Sequence, residues 1–286
     1  MYEDGHIPLR SRWRLFALQI FTLFLVNLAT LGWARKLFAY PGGTITCLGF
    51  CIKSGETVTL TEAHALQFVA KHTSIPVPAV HHAFVHRGKT YILMERVHGE
   101  IMAKRWHLLP STSKESILSQ LKGMIEELRS IPSKGAAICN IDGGPLHDYR
   151  LPHKLSWGPF TTISDFHLAL RNNVTSEALK GQASSSLSPN AVSDMHKLIS
   201  FHESVTQPPV LTHGDLNTPN ILLDGDKVVA ILDWGTAAWM PYYWEYTMTR
   251  HANPQNVIWQ REVEQFLCPY NTEFEMEGLR CMYFGG

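Results

Sequence analysis

Between Val210 and Gly235 the chain sets out His213, Asp215 and Asn220 in the spacing H-x-D-x-x-x-x-N. A hairpin signal turning at Asp224-Gly225-Asp226 follows, and the second apolar run ends in Ile231-Leu232-Asp233. Those residue types, at those intervals, could carry transfer of a phosphoryl group to a hydroxyl. One carboxylate, Asp215, would accept the hydroxyl proton, while an amide and a second carboxylate, Asn220 and Asp233, would hold a magnesium ion against nucleotide phosphates. The hairpin turns the chain back, so Asp233 returns beside the loop that carries the other two. Each residue alone could be a turn or cap former. Both spacings together, with apolar runs on either side, point to a site.

On these residues the sequence resembles the aminoglycoside phosphotransferase/choline kinase-like family of small-molecule kinases, with divergent fungal members nearest. The resemblance runs over about residues 45–265. It implies an α+β, bilobal, protein-kinase-like fold. A small, apparently truncated, strand-rich N-lobe over 41–98 would bind nucleotide, and a larger, mainly helical C-lobe over 99–286 would hold the catalytic loop and acceptor site. It implies ATP as donor, Mg²⁺ as metal and a small-molecule hydroxyl as acceptor. Asp215 would then be catalytic, Asn220 and Asp233 metal ligands, and His213 a support for the catalytic loop. Lys53, at the end of an apolar strand, resembles the lysine that reaches the α- and β-phosphates, and Glu62 its ion-pair partner. The backbone of Glu95 to Val97 would meet adenine.

The surrounding elements must position these residues. A strand-like run through Ile45, Leu48, Phe50 and Ile52 leads to Lys53. Thr59–His72 has apolar residues at helical spacing, and Thr59 with Glu62 also forms a T-x-x-E capping box, so Glu62 has two competing roles. Ile75-Pro-Val-Pro78 stops that helix. Ala79–His86 and Thr90–Val97 read as a hairpin across Arg87-Gly88-Lys89. Ile117, Leu118, Leu121, Met124, Ile125 and Leu128 form one face of a later helix, and Ala191–Val205 reads as another. Residues ~140–170, including Asp148-Tyr149-Arg150, and 236–250, including Trp244 and Glu245, are expected to form the acceptor pocket.

Two features point elsewhere. Few residues lie between Tyr40 and Lys53, and Gly42, Gly43 and Gly49 are the only glycines available for a phosphate-covering loop. A catalytically inactive, membrane-tethered binding module is therefore the alternative to an enzyme. Leu15–Ala34 carries no formal charge and matches a membrane span in length, with Arg10, Arg12 and Arg14 before it and Arg35 and Lys36 after. A packed helix and a signal peptide are the other readings, and domain 1–40 is set apart on this account.

Gly214 stands where protein kinases carry an arginine, and no A-P-E follows Asp233, which favours a small-molecule acceptor. Lys+Arg and Asp+Glu both number 25, a balance that argues against binding nucleic acid through bulk charge. The acids of 236–250 reduce to Glu245, so a polycationic antibiotic is not the expected acceptor. The five cysteines lack metal-site spacing, and the catalytic part reads as cytoplasmic.

Overall fold

A computed structural model describes residues 9–31, 36, 38, 44–133, 135–148, 150–151, 156–182, 188–251 and 257–285. The elements begin with helix α1 (Leu9–Thr30), strands β1 (Ile45–Cys47) and β2 (Phe50–Gly55), helix α2 (Leu60–His72) and strands β3 (Val80–His86), β4 (Lys89–Glu95) and β5 (Glu100–Ile101). Helices α3 (Met102–Arg105) and α4 (Ser111–Ser130), strand β6 (Cys139–Asn140) and helices α5 (Ile163–Leu170), α6 (Ser176–Gln182) and α7 (Pro189–Ser204) come next. Strands β7 (Val210–Thr212), β8 (Ile221–Asp224), β9 (Lys227–Ile231) and β10 (Ala238–Met240) precede helices α8 (Trp244–His251), α9 (Val257–Phe266) and α10 (Asn271–Phe284). This is the α+β plan, strand-rich first and helical after.

The first sheet is antiparallel, in the order β1-β2-β4-β3. Strand alternation sorts its side chains. Cys51 and Lys53 of β2 share a face with their partners Met94 and Ile92 of β4, while Ile52 and Leu93 point the other way. Helix α2 packs Ala63, Leu66 and Val69 into a core with Ile92 and Met94. Helix α1 covers the opposite face, setting Leu25 and Ala29 against Ile52 and Leu93, with the Phe21 and Phe50 rings edge to face at 5.7 Å. Covered on both sides, β4 is buried continuously from Thr90 to Met94, the pattern of a strand with two dry faces.

The run from Ile45 to Ile52, read above as one strand, is a hairpin. Leu48 (φ 51°) and Gly49 (φ 78°) form a two-residue turn with both residues in the left-handed region. That is the backbone a tight hairpin demands, but a leucine at its first position hides the signal. Gly42 and Gly43 lie outside the described residues. The other hairpin signals are in place, at Arg87-Gly88 between β3 and β4 and at Gly225-Asp226 between β8 and β9.

The main core is continuous from α2 through α4 to β7, β8, β9 and α9. The apolar face of α4 buries Ile117, Leu118, Leu121, Ile125 and Leu128. A second cluster gathers Phe166, Met240, Tyr243 and Trp244, so much of the aromatic stretch expected to line an acceptor pocket is interior.

Candidate active site

The loop that carries His213, Asp215 and Asn220 runs from the end of β7 to the start of β8, and its shape is set by polar contacts to its backbone. The His213 ring is fully buried. Its Nε2 meets the Leu232 carbonyl at 2.9 Å and its Nδ1 meets the Asp215 N–H at 3.1 Å. Only the neutral Nε2–H tautomer satisfies both, and burial lowers the ring's pKa, favouring the neutral form. The ring thereby ties the loop to the residue before Asp233. A second tie, Leu232 N–H to the Asn220 carbonyl at 2.8 Å, reinforces it.

Glu245 holds the loop from below. Its carboxylate, 1% exposed, accepts from the His213 N–H at 2.6 Å and the Gly214 N–H at 3.1 Å. Burial pushes its pKa up; neighbouring His213 and the two amide donors oppose that rise. Glu245 was expected in an acceptor pocket, and the structure places it inside, under the loop. An acid in an otherwise apolar stretch was the available signal, because a buried carboxylate needs partners. Gly214 has φ 81°, and a Cβ there would come within 3.0 Å of the Thr236 carbonyl oxygen. An arginine, which protein kinases carry at this position, would therefore be strained by backbone and space.

A guanidinium nevertheless reaches the loop, from 65 residues away. Arg150 is pinned by a two-pronged contact to Asp148, Nε to Oδ1 at 2.8 Å and Nη2 to Oδ2 at 2.7 Å. It also donates to the Gly214 carbonyl, and its Nη1 lies 3.2 Å from Asp215 Oδ1. Asn217 Nδ2 shares that Oδ1 at 3.1 Å, while Asn220 Nδ2 takes Oδ2 at 3.1 Å. The carboxylate of Asp215 is thus held at both oxygens. Burial raises its pKa, Arg150 lowers it, Asp233 raises it and Asn220 lowers it, with a net upward direction. The contact between Arg150 and Asp215 was not anticipated from the sequence; Tyr149, between Asp148 and Arg150, lies outside the described residues.

From the sheet side, Lys53 Nζ donates to Glu62 Oε1 at 2.8 Å and to Asp233 Oδ1 at 2.7 Å. Burial alone would lower the lysine pKa, but the two carboxylates outweigh it and leave it raised, so the group is a cation. Glu62 is 3% exposed and turns to Lys53, while Thr59 makes no side-chain cap at the start of α2. The capping-box alternative does not form. Asp233 has φ 62° and ψ 64°, a left-handed conformation that aspartate tolerates better than most residues and that leaves its carboxylate against Lys53.

A cleft of about 620 Å³ opens between the sheet and the loop, lined by Thr46, Lys53, Met94, Val97, Asn220 and Asp233 among others. At its edge the Glu95 N–H donates to the Ala79 carbonyl and the Arg96 N–H to the Gly49 carbonyl. That leaves Val97 of this trio as the amide able to meet a base. With its Nδ2 engaged by Asp215, Asn220 can offer Oδ1, and Asp233 offers a carboxylate. Two hard oxygen donors suit Mg²⁺, and Asn220 and Asp233 are the residues that would hold it.

A profile of the phosphotransferase enzyme family (APH) matches residues 56–279. A search of curated proteins finds no match. Among solved structures, a thermostable mutant of the aminoglycoside phosphotransferase APH(4)-Ia, in ternary complex with AMP-PNP and hygromycin B, aligns with a TM-score of 0.56 at 17% identity, covering 84% of this chain and 77% of its own. The aminoglycoside phosphotransferase APH(3'')-Id from Streptomyces rimosus, in complex with ADP and streptomycin, aligns at 0.53 and 14%, covering 94% of this chain and 98% of its own. At these identities the likeness establishes the fold, which is that of the aminoglycoside phosphotransferases and is protein-kinase-like. With the family profile spanning most of its length, the chain belongs to the phosphotransferase enzyme family.

Proposed function

We propose that the protein is an ATP- and Mg²⁺-dependent phosphotransferase that moves the γ-phosphoryl group to a hydroxyl of a small molecule, with its catalytic part in the cytoplasm. The observation that carries this reading is the convergence of Lys53, Asn220 and Asp233 on a single cleft, with Asp215 held beside Asn220 at 3.1 Å. In this reading Lys53, held by Glu62, neutralises the α- and β-phosphates, and Val97 meets the adenine edge. Asn220 Oδ1 and Asp233 hold the magnesium, which would offset the charge on the transferring phosphoryl group. Asp215 takes the proton of the attacking hydroxyl, its carboxylate steered by Arg150, Asn217 and Asn220. His213 and Glu245 hold the loop in this arrangement. The described cysteines are unpaired, which suits a reducing compartment.

The acceptor side argues against a polycation. Asp148 and Asp215 are already engaged by Arg150, and Glu245 by backbone amides. The intended test is the melting temperature with and without Mg²⁺-ATP, for the wild type, Asp233→Ala and Asp215→Ala. Ligand at a hundred times its Kd stabilises by about 2.7 kcal/mol. The wild type and Asp215→Ala should shift upward and Asp233→Ala should not. Phosphate release with water as acceptor should then require Asp215. No shift for the wild type at millimolar nucleotide would overturn the proposal.

A further inference from the structure

Helix α1 has two apolar faces, and the fold uses one. Leu25 and Ala29 are buried against Ile52 and Leu93 of the first sheet. On the outward side Trp13 is 70% exposed, Phe16 56%, Ile20 51%, Phe24 59% and Leu31 46%. At 100° per residue Trp13, Phe16, Ile20 and Phe24 fall on one side of the helix, in a stripe roughly 17 Å long, and Leu31, one residue past its end, continues the line beyond the exposed Asn27. Isolated exposed apolar residues are ordinary, but a contiguous stripe of this size marks a contact surface.

Charge identifies what that surface meets. Residues 9–30 contain no acid. Arg12 and Arg14 are exposed at one end of the stripe, and Lys36 is exposed beyond the other. Pairing α1 with α1 of a second copy would set cations against cations at both ends, whichever way the helices ran. An anionic surface has no such conflict. The packing argues against a transmembrane course, since withdrawing α1 would bare Ile52 and Leu93. The face of the sheet that α1 covers is also opposite the one bearing Cys51, Lys53 and Met94, which line the cleft. A bilayer against α1 would therefore leave the cleft open to water.

We propose that α1 docks the protein on an anionic membrane surface, lying in the plane of the interface with Trp13, Phe16, Ile20, Phe24 and Leu31 among the acyl chains and Arg12, Arg14 and Lys36 at the headgroups. Aromatic and aliphatic residues on one face with cations at its margins are the pattern of an interfacial helix, and each cation near an anionic leaflet adds several-fold to affinity.

The test is co-sedimentation of the full chain with phosphatidylcholine vesicles with and without phosphatidylserine, together with sedimentation velocity in the absence of lipid. The wild type should pellet with the anionic vesicles, less so as salt rises, and should remain monomeric without lipid. Phe16→Glu/Phe24→Glu should lose at least about tenfold in affinity per aromatic residue, and Arg12→Glu/Arg14→Glu should bind anionic vesicles more weakly. Both variants change exposed residues, so an unaltered melting temperature confirms that the fold persists. Failure of the wild type to pellet, pelleting unaffected by Phe16→Glu/Phe24→Glu, or binding that resists extraction as an integral protein would each overturn the proposal. A lipid-free dimer dissolved by Phe16→Glu would also overturn it and assign the stripe to a second copy.

Discussion

Replacing Glu245 with alanine tests whether the catalytic loop is hung from one buried carboxylate. The substitution removes the acceptor for the N–H groups of His213 and Gly214, both in buried residues. A hydrogen bond to a charged group is worth about 1.5–3 kcal/mol, and a stranded buried donor costs about 1–3 kcal/mol. Release of the carboxylate's own desolvation offsets part of this, so the net loss should be about 3–5 kcal/mol. In a protein of this size each kcal/mol moves the midpoint by about 2–4 °C, and Glu245→Ala should melt roughly 6–20 °C lower. Glutamine keeps one acceptor oxygen but turns an amide toward the other N–H, so Glu245→Gln should lose about 1.5–3 kcal/mol. Urea unfolding followed by circular dichroism ranks the three proteins. Glu245→Ala unfolding within 1 kcal/mol of the wild type would refute the idea that these amides depend on Glu245.

Other substitutions separate the parts of the site. Lys53→Met should weaken Mg²⁺-ATP about 10- to 100-fold, the worth of a charge-assisted contact, as read by calorimetric titration; unchanged affinity would remove Lys53 from the phosphate site. Arg150→Met should slow Asp215-dependent phosphate release at least tenfold while leaving the Kd for ATP within about twofold, and added guanidinium should restore part of the rate to Arg150→Ala. Equal loss of nucleotide binding would make Arg150 a general scaffold residue. Gly214→Ala should cost about 1–3 kcal/mol from its left-handed backbone alone, measured by the same urea curves.

Acid stability should report the buried imidazole of His167. Burial lowers its pKa to about 4, so the folded chain keeps the ring neutral while the unfolded chain protonates it near 6.5. Stability from this group is present above pH 6.5 and falls by about 3 kcal/mol as the pH drops to 4. His202, stacked on it at 4.1 Å and shifted the same way, adds to the slope. His167→Phe, with no ring nitrogen to charge, should flatten the pH dependence of urea stability between those values; an unchanged slope would exclude His167 as its source.

Asp215, Asn220 and Asp233 were legible as a group because they lie on one short segment whose hairpin dictates their return. Lys53 and Glu62 were singled out through the family resemblance, at the strand end and on the following helix where it places such a pair. Arg150 and Glu245 were not assigned their contacts because those contacts span 65 and 32 residues. No local pattern encodes such a distance. The β1–β2 hairpin was hidden by Leu48 in a position where the backbone favours glycine or asparagine. Helix α1 met the length and apolarity of a membrane span, yet those criteria do not register that Leu25 and Ala29 are taken by the sheet. The Glu62 ambiguity was real at the level of sequence, because one glutamate satisfied two motifs, and only the direction of its side chain separates them.

The His213 ring couples two of the carboxylates through the backbone. By bonding the Asp215 amide and the Leu232 carbonyl at once, it fixes Asp215 relative to the residue that precedes Asp233. Lys53 and Glu62 come from β2 and α2, and Lys53 meets this assembly at Asp233. A displacement of β2 would therefore alter the contact of Lys53 with Asp233 before it altered the spacing of Asp215 and Asp233, which is set by the loop's own hydrogen bonds.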